Sequence, residues 1–572
     1  MEKRWNLRTP SDEELKFIND LSKQLNINHV LAQLLVQRGI RSFEEAKDFF
    51  RPQLENLHDP FLMNDMRAAV DRLNTALGHK ERILVYGDYD VDGTSSVALI
   101  YSFLRHYTSA LDYYIPDRYT EGYGISYEGI DYAKETGATL IVALDCGIKA
   151  IDKVAYAKEK GIDFIICDHH TPDEILPDAV AVLDPKRPDS TYPFKHLSGC
   201  GVGYKLIQAF ALDNHINCKE VRRYLDLVVV SIASDIVPIT GENRILAYWG
   251  LRKLNSNPRI GLKTIIDISG LDRKEITISD IVFKIGPRIN ASGRMYSGKE
   301  AVELMVATDL EEARAKCLEL NEYNQERKDL DKGITEEALQ HIEDNDNLQE
   351  KKSTVLYNPE WHKGIIGIVA SRLIEKYYRP TIILTKSNNK ITGSARSVAG
   401  FNIYNAIEHC KDLLENFGGH KFAAGLTMKE ENLEEFKRRF EEFVASKIQP
   451  VQTIPQIDID ARLNFSSITP KFFRILSQFA PFGPENMKPV FITENVRDSG
   501  GTRLVGKDAD HLKVELADPE DGIVLGGIGF SMSQFNDHLK KSRPVDICYT
   551  IEENSFNGNR YIQLMIKDIK EK

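Results

Sequence analysis

Apolar residues recur at helical spacing over the first ~50 positions (Leu15, Ile18, Leu21, then Val30, Leu34, Leu35), which predicts a small helical preface. From Arg82 the period changes. Apolar runs of strand length, Arg82–Tyr86, Thr139–Leu144 and Phe164–Cys167, alternate with helical stretches. That alternation predicts βαβ units around a parallel sheet, and the unbroken apolar character predicts helices on both faces. From Ser297 to Lys351 the chain is charged, free of proline and rich in Glu, Ala, Leu and Lys, which predicts one or two long helices acting as a connector. A second α/β region runs from Ser353 to Lys447, with strands at Thr354–Tyr357 and Thr381–Leu384. The rest alternates with period two around turns such as Asn557-Gly558-Asn559, the pattern of a small all-β domain.

At 572 residues the chain is too long for one core. No run of about 18 apolar residues is present and no apolar segment follows the charged N-terminus, so neither a membrane span nor a secretory signal is expected. Seven cysteines without a CxxC pair point to reduced thiols and a cytoplasmic protein. A net charge of −11 argues against a chain that coats nucleic acid nonspecifically, but not against a basic channel in an acidic exterior.

The candidate chemistry is carboxylate-rich. Asp88-Tyr89-Asp90-Val91-Asp92-Gly93 resembles the start of a calcium loop, but position 12 counted from Asp88 is Leu99 rather than a bidentate Glu. No Lys-Ser/Thr follows the glycine, which removes a phosphate-binding P-loop. The remaining alternatives are a solvated acidic turn and a metal site at the carboxyl edge of a sheet. Three further clusters favour the metal site: Asp145 after one apolar strand, Asp168-His169-His170 after another, and Asp235 closing a long apolar run. Carboxylates with one or two imidazoles suit Mn²⁺ or Mg²⁺. Five or more candidate ligands are enough for two ions, which together clamp an in-line displacement at phosphorus. Cys146 and Cys167 adjoin the ligands, but strand alternation turns them away as inert core thiols.

In order and spacing these clusters resemble the DHH phosphoesterase superfamily, named for the Asp168-His169-His170 triplet, and within it the RecJ-type single-strand-specific 5′→3′ DNA exonucleases. Further motifs carry the likeness: Ile115-Pro116-Asp117-Arg118-Tyr119 with Glu121-Gly122-Tyr123-Gly124, Ser198-Gly199-Cys200-Gly201-Val202-Gly203, Gly286-Pro287-Arg288-Ile289-Asn290-Ala291-Ser292-Gly293-Arg294-Met295, His362-Lys363-Gly364, Ser394-Ala395-Arg396 and Gly418-Gly419-His420. The resemblance implies an α/β chain with a helical segment at 1–55, a parallel-sheet DHH catalytic domain at 56–270, a helical connector at 271–350, a second α/β domain (DHHA1) at 351–450 and an all-β OB-fold at 451–572. It implies two divalent ions, Mn²⁺ or Mg²⁺, on Asp90, Asp92, Asp145, His169 and Asp235, with Asp145 bridging. His170 would contact the scissile phosphate and Asp88 would support the ligands. Arg118, Arg288, Asn290, Arg294, Ser394, Arg396 and His420 would bind substrate, since planar guanidinium groups grip a terminal phosphate bidentately. The four arginines read as lying in Gly- and polar-rich segments rather than on helix faces.

The implied reaction is release of 5′ mononucleotides from single-stranded DNA in repair and recombination. The expected agent is a monomer working with a helicase and a single-strand-binding protein. Two rivals are a small DHH phosphodiesterase for short RNA or cyclic dinucleotides, which usually lacks the C-terminal β domain, and a non-catalytic DHH-like scaffold, which loses metal ligands.

Overall fold

The computed structural model describes residues 2–556 and 559–572; the Asn557-Gly558 turn lies outside the described residues. The apolar runs form a sheet of five strands, each parallel to its neighbours: β1 (Arg82–Gly87), β2 (Leu111–Tyr114), β3 (Ala138–Leu144), β4 (Asp163–Cys167) and β5 (Ala181–Leu183). Ile83, Val85 and Leu140 enter one core while Leu84, Tyr86 and Ile141 enter another, so the strands do not alternate because both faces are dry. The spatial order is β2-β1-β3-β4-β5. The chain leaves β1 for one side of the sheet and returns on the other as β3. The crevice at the carboxyl ends of these two strands is where open α/β sheets bind ligands. Helices α1 (Val91–Leu104), α2 (Gly199–Asp213) and α3 (Leu225–Ser234) pack together beside it.

The connector begins later than expected. Ile276, Ile285, Val302, Leu304 and Leu320 share the core of the parallel sheet, so the first part of the 271–350 segment belongs to the catalytic body. Gly286–Met295 forms helix α4, with Pro287 in its first turn, where a missing N–H costs nothing. Arg288 and Arg294 therefore do lie on a helix, against the sequence reading. The span to the next domain is made by the later turns of α5 (Leu310–Glu343), where Ile334, Ala338 and Ile342 pack with Trp361.

The second α/β domain is a mixed sheet ordered β9-β10-β8-β7-β6, from β6 (Thr354–Tyr357), β7 (Thr381–Ser387), β8 (Lys390–Arg396), β9 (Leu414–His420) and β10 (Ala423–Met428), with helix α6 (Ile366–Tyr377) packed on it. In the C-terminal domain the strands Phe491–Asp498, Val545–Phe556, Asn559–Glu571, Val524–Gly529 and His511–Ala517 pair in turn, and Arg497 opposite Ala517 closes the ring. A closed five-stranded barrel is the OB architecture.

The N-terminal segment is not a free-standing preface. Its strand Arg4–Leu7 pairs in parallel with Gln456–Ile459, and Ile18, Leu31, Leu34, Leu35 and Ala46 share one core with Phe472, Phe491 and Tyr549. The two ends of the chain thus form one unit, joined to the catalytic body by Arg244. Its buried guanidinium donates to the carbonyls of Phe49 (3.0 Å), Phe479 (2.9 Å) and Ala480 (3.1 Å). Cutting the chain after residue 450 strips water-excluding partners from at least four buried side chains, each worth about 1.5–3 kcal/mol. That truncation is expected to aggregate, whereas one lacking residues 1–50 as well is expected to be more soluble. Size-exclusion chromatography of both checks this; a monodisperse 1–450 fragment would contradict the shared core.

Candidate metal centre and anion site

Each acidic cluster reaches the crevice by a different local device. After β1, Asp90 caps α1, its side chain accepting from Gly93 N–H at 3.0 Å. Asp92, in the first turn of α1, points its carboxylate at the N-terminus of α2. Gly199 N–H (2.7 Å), Cys200 N–H (2.8 Å) and the Ser231 hydroxyl (2.7 Å) all donate to it. These donors hold the charge by hydrogen bonding and by the helix dipole. Gly199 must be glycine, since a Cβ there would stand 2.6 Å from the Asp145 Cβ. Asp145, leaving β3, takes a left-handed backbone (φ 58°) that Asp and Asn tolerate better than other side chains.

The side chains converge. His169 Nε2 lies 3.1 Å from Asp145 Oδ1, 3.5 Å from Asp235 Oδ2 and 3.8 Å from Asp92 Oδ2. Single donor atoms of Asp92, His169 and Asp235, and of Asp145, His169 and His170, form two groups, each within 4.8 Å. Asp145 Oδ1, both His169 nitrogens and Asp88 Oδ2 are buried without a hydrogen-bond partner among the described residues. Burial and then the neighbouring carboxylates push Asp145 and Asp235 well above the usual carboxylate range, and Asp90 and Asp88 upward too. Burial pushes His169 down to about 4, so its imidazole is neutral, the form that ligates metals. Crowded carboxylates, a neutral imidazole and orphaned buried acceptors fit divalent cations of the Mn²⁺ or Mg²⁺ kind. Asp90 lies close enough for its charge to raise Asp145 and Asp235, though it is outside the two tight groups. Cys146 and Cys167 are buried, and burial pushes both thiols up, as inert core groups require.

His170 is held differently. Its Nδ1 lies 2.8 Å from Asp168 Oδ1, and Asp168 also accepts from the backbone N–H of Ile148, His169 and His170. Burial works against the imidazolium, but the Asp168 contact more than offsets it and raises His170 to about 9. The other ring nitrogen meets the Tyr123 hydroxyl at 3.2 Å. The sequence alone gives neither Asp168 an anchoring role nor Tyr123 a role of its own, although the motif Glu121-Gly122-Tyr123-Gly124 contains it. Tyr123→Phe removes the hydroxyl that meets the His170 ring and donates to the Asp145 carbonyl at 3.3 Å, a loss of about 1 kcal/mol in the transition state. It is expected to lower kcat about fivefold with little change in KM, checked by steady-state kinetics; unchanged kcat would free Tyr123 of this role.

A second feature lies beside the carboxylates. Arg118, Arg294 and Arg396 interact electrostatically around Arg294, which burial, Arg118, Arg327 and Arg396 together push down to about 10. Arg118 stacks over the Tyr89 ring, 4.1 Å from its centroid, between two of the aspartates. Arg396, at the end of β8, donates to the Ser394 hydroxyl at 3.1 Å. A Cβ on Gly367, in the first turn of α6, would stand 2.9 Å from both of these side chains, so the helix N-terminus opens onto them. None of the three arginines forms an ion pair with a carboxylate among the described residues. Half-buried cations without counter-charges make an anion site.

Other predicted substrate residues are distributed unevenly. His420, with Gly418 and Gly419 on the edge strand β9, lines a cavity of about 420 Å³ together with Tyr123, Asp168 and His170, so the second domain faces the metal centre. Asn290 is half-buried on α4, with no side-chain hydrogen bond among the described residues. Arg288 is not with the trio: it bonds Asn321 Oδ1 (3.1 Å) and the Lys284 carbonyl (2.7 Å), against α5. Six residues along a helix separate it from Arg294 by about 120° in direction, which a linear motif conceals.

Comparison with known proteins gives the same order of parts. Residues 82–232 match the DHH family N-terminal domain, 350–446 the DHHA1 domain and 459–568 the RecJ OB domain. The chain is 35% identical to the single-stranded-DNA-specific exonuclease RecJ of Bacillus subtilis, over 99% of this chain and 70% of the relative. It is 32% identical to the Escherichia coli protein of the same name, over 94% and 95% of the two chains. Among solved structures it is similar to Thermus thermophilus RecJ in complex with Mn²⁺, with a TM-score of 0.85 and 26% identity, covering 100% of this chain and 80% of that one.

Proposed function

The chain belongs to the RecJ family, and from that premise we propose that it hydrolyses single-stranded DNA stepwise from the 5′ end, releasing 5′ mononucleotides. The observation that carries the polarity is the arginine trio: half-buried cations, without a carboxylate partner among the described residues, beside the carboxylate cluster and between two domains. A 5′-terminal phosphate bears roughly two negative charges and matches such a site.

Two divalent ions held by Asp90, Asp92, Asp145, His169 and Asp235 would supply an acidified water and the positive charge that favours in-line displacement at phosphorus. The chain's own groups do the rest. Asp145, 3.1 Å from the His169 shared by both ligand groups, would be the carboxylate placed to hold both ions. His170, kept protonated by Asp168 at Nδ1, donates its Nε2–H, which meets the Tyr123 hydroxyl in the absence of substrate, to a non-bridging oxygen of the scissile phosphate. Arg118, Arg294 and Arg396, with Ser394, fix the terminal phosphate one nucleotide away, so each cycle removes one residue. His420 closes the opposite wall. A cleft walled by two domains admits one strand and excludes the breadth of a duplex. Such an enzyme serves repair and recombination in the cytoplasm. Its need for an unpaired strand calls for a helicase and a single-strand-binding protein as partners.

The test compares long single-stranded DNA, the same sequence as duplex, and a ribodinucleotide, each with Mn²⁺. Rapid release of mononucleotides from the single strand alone supports the proposal; turnover confined to the ribodinucleotide contradicts it.

A further inference from the structure

The helix α4 runs across the metal centre. At its first residue, a Cβ on Gly286 would stand 2.8 Å from the Ser234 hydroxyl, next to Asp235; near its far end one on Gly293 would stand 2.4 Å from the Tyr89 carbonyl, between Asp88 and Asp90. Pro287, Asn290 and Arg294 share one face at i, i+3 and i+7, and that face carries the phosphate-binding arginine. Four residues before Pro287, on the same stripe, stands Phe283. It is 74% exposed, the most exposed of the large hydrophobic residues among the described residues. It lies in a π-helical turn, Ile281–Ile285, that feeds into α4. Such turns mark functional positions more often than chance, since they cost hydrogen-bond geometry.

The π-helical turn packs on the end of α3, and the residue just past Asp235 there, Ile236, is 63% exposed with φ 58°, a strained conformation for a β-branched side chain. Beside Phe283 runs a basic edge of Lys284, Arg288 and, across on α5, Lys328 and Arg327. Asp280 lies near Lys284 and is shared with Lys274, and Asp331 lies near Arg327, but Arg288 and Lys328 have no ion-pair partner among the described residues. An exposed aromatic flanked by unneutralised cations is the arrangement that stacks the bases and tracks the backbone of a single strand.

We infer that Phe283 is a stacking platform for a base downstream of the scissile bond, and that Lys284, Arg288 and Lys328 follow the phosphates of that stretch. The inference rests on the proposed action on single-stranded DNA and assigns Arg288 a place outside the 5′-phosphate site. From Phe283 to Arg294 is about 16 Å of helix, at 1.5 Å per residue, so the platform lies several nucleotides into the strand. A base can reach it only when unpaired, which adds a second source of strand selectivity to cleft width.

The test measures equilibrium binding of the full-length protein in EDTA to a 5′-phosphorylated 12-mer of deoxythymidine. A matched 12-mer with abasic sites at the second to fourth positions is the comparison. Phe283→Ala is expected to weaken binding to the normal strand roughly tenfold, Phe283→Trp to restore it, and both variants to match wild type on the abasic strand. The high exposure of Phe283 leaves folding unaffected, as a circular-dichroism melt would record. Wild-type affinity in Phe283→Ala, as a protein-docking role would give, or an equal loss on both strands, overturns the inference. A wild-type protein that binds no single strand overturns this inference and the proposed function together; normal wild-type binding with an indifferent Phe283 overturns this inference alone.

Discussion

Asp145→Asn is expected to reduce DNA cleavage by at least a thousandfold, about 4 kcal/mol of lost transition-state stabilisation, while single-strand binding stays measurable. The substitution suits the site. Asparagine tolerates the left-handed backbone at position 145 and keeps the side-chain shape, so it removes charge and little else. Asp145 Oδ1 lies 3.1 Å from the Nε2 of His169, the residue common to both ligand groups, and 4.0 Å from the Nδ1 of His170, so it sits at the middle of the cluster. The same crowding gives a second readout. Burial and the charges of Asp92, Asp90 and Asp235 oppose ionisation of Asp145 when no cation is present. Neutralising it should therefore raise the melting temperature of the metal-free protein by a few degrees and shrink the stabilisation that added Mn²⁺ confers. Near-normal turnover, or an unchanged response to Mn²⁺, would remove Asp145 from the centre.

Arg396→Ala is expected to abolish most of the preference for a 5′-phosphate over a 5′-hydroxyl end, a loss of roughly tenfold to a hundredfold in kcat/KM on the phosphorylated strand. A hydrogen bond to a charged group is worth about 1.5–3 kcal/mol, which sets that range. The guanidinium is half-buried, bonded to Ser394 and the Ala395 carbonyl, and meets no carboxylate among the described residues, so the substitution breaks no ion pair. The hydroxyl-ended strand serves as the internal control, because a merely structural defect lowers both rates alike. An unchanged ratio of phosphorylated to hydroxyl ends would refute the role. Arg288→Ala, against α5 instead, should leave that ratio intact.

Local features were legible in the sequence and non-local ones were not. Asp88, Asp90 and Asp92 lie within five residues after an apolar run, and the missing Glu at Leu99 was enough to remove calcium. Asp145 and His169 were readable because each follows an apolar strand, and parallel strands deliver such ends to one edge, while Asp235 closes the apolar helix α3. The 34-residue helix α5 followed from composition. What stayed hidden depends on contacts distant in sequence or on helical phase. Nothing near Arg4–Leu7 announces a partner at Gln456–Ile459, so the N-terminal helices read as independent when their apolar faces belong to the barrel core. Val302 and Leu304 read as connector because their partners are on the parallel-sheet side of the molecule. Tyr123 gains its role only when its loop returns to His170, 47 residues later.

The central claim is that a carboxylate–histidine metal centre removes nucleotides from the 5′ end. The measurement that meets it most directly follows the first products from one single-stranded oligonucleotide labelled at either the 5′ or the 3′ end, with Mn²⁺ and with EDTA. The 5′ label is expected to appear at once as a mononucleotide, the 3′ label to stay on a shrinking ladder, and EDTA to stop both. Mononucleotides appearing first from the 3′ label, or release that persists in EDTA, would contradict it.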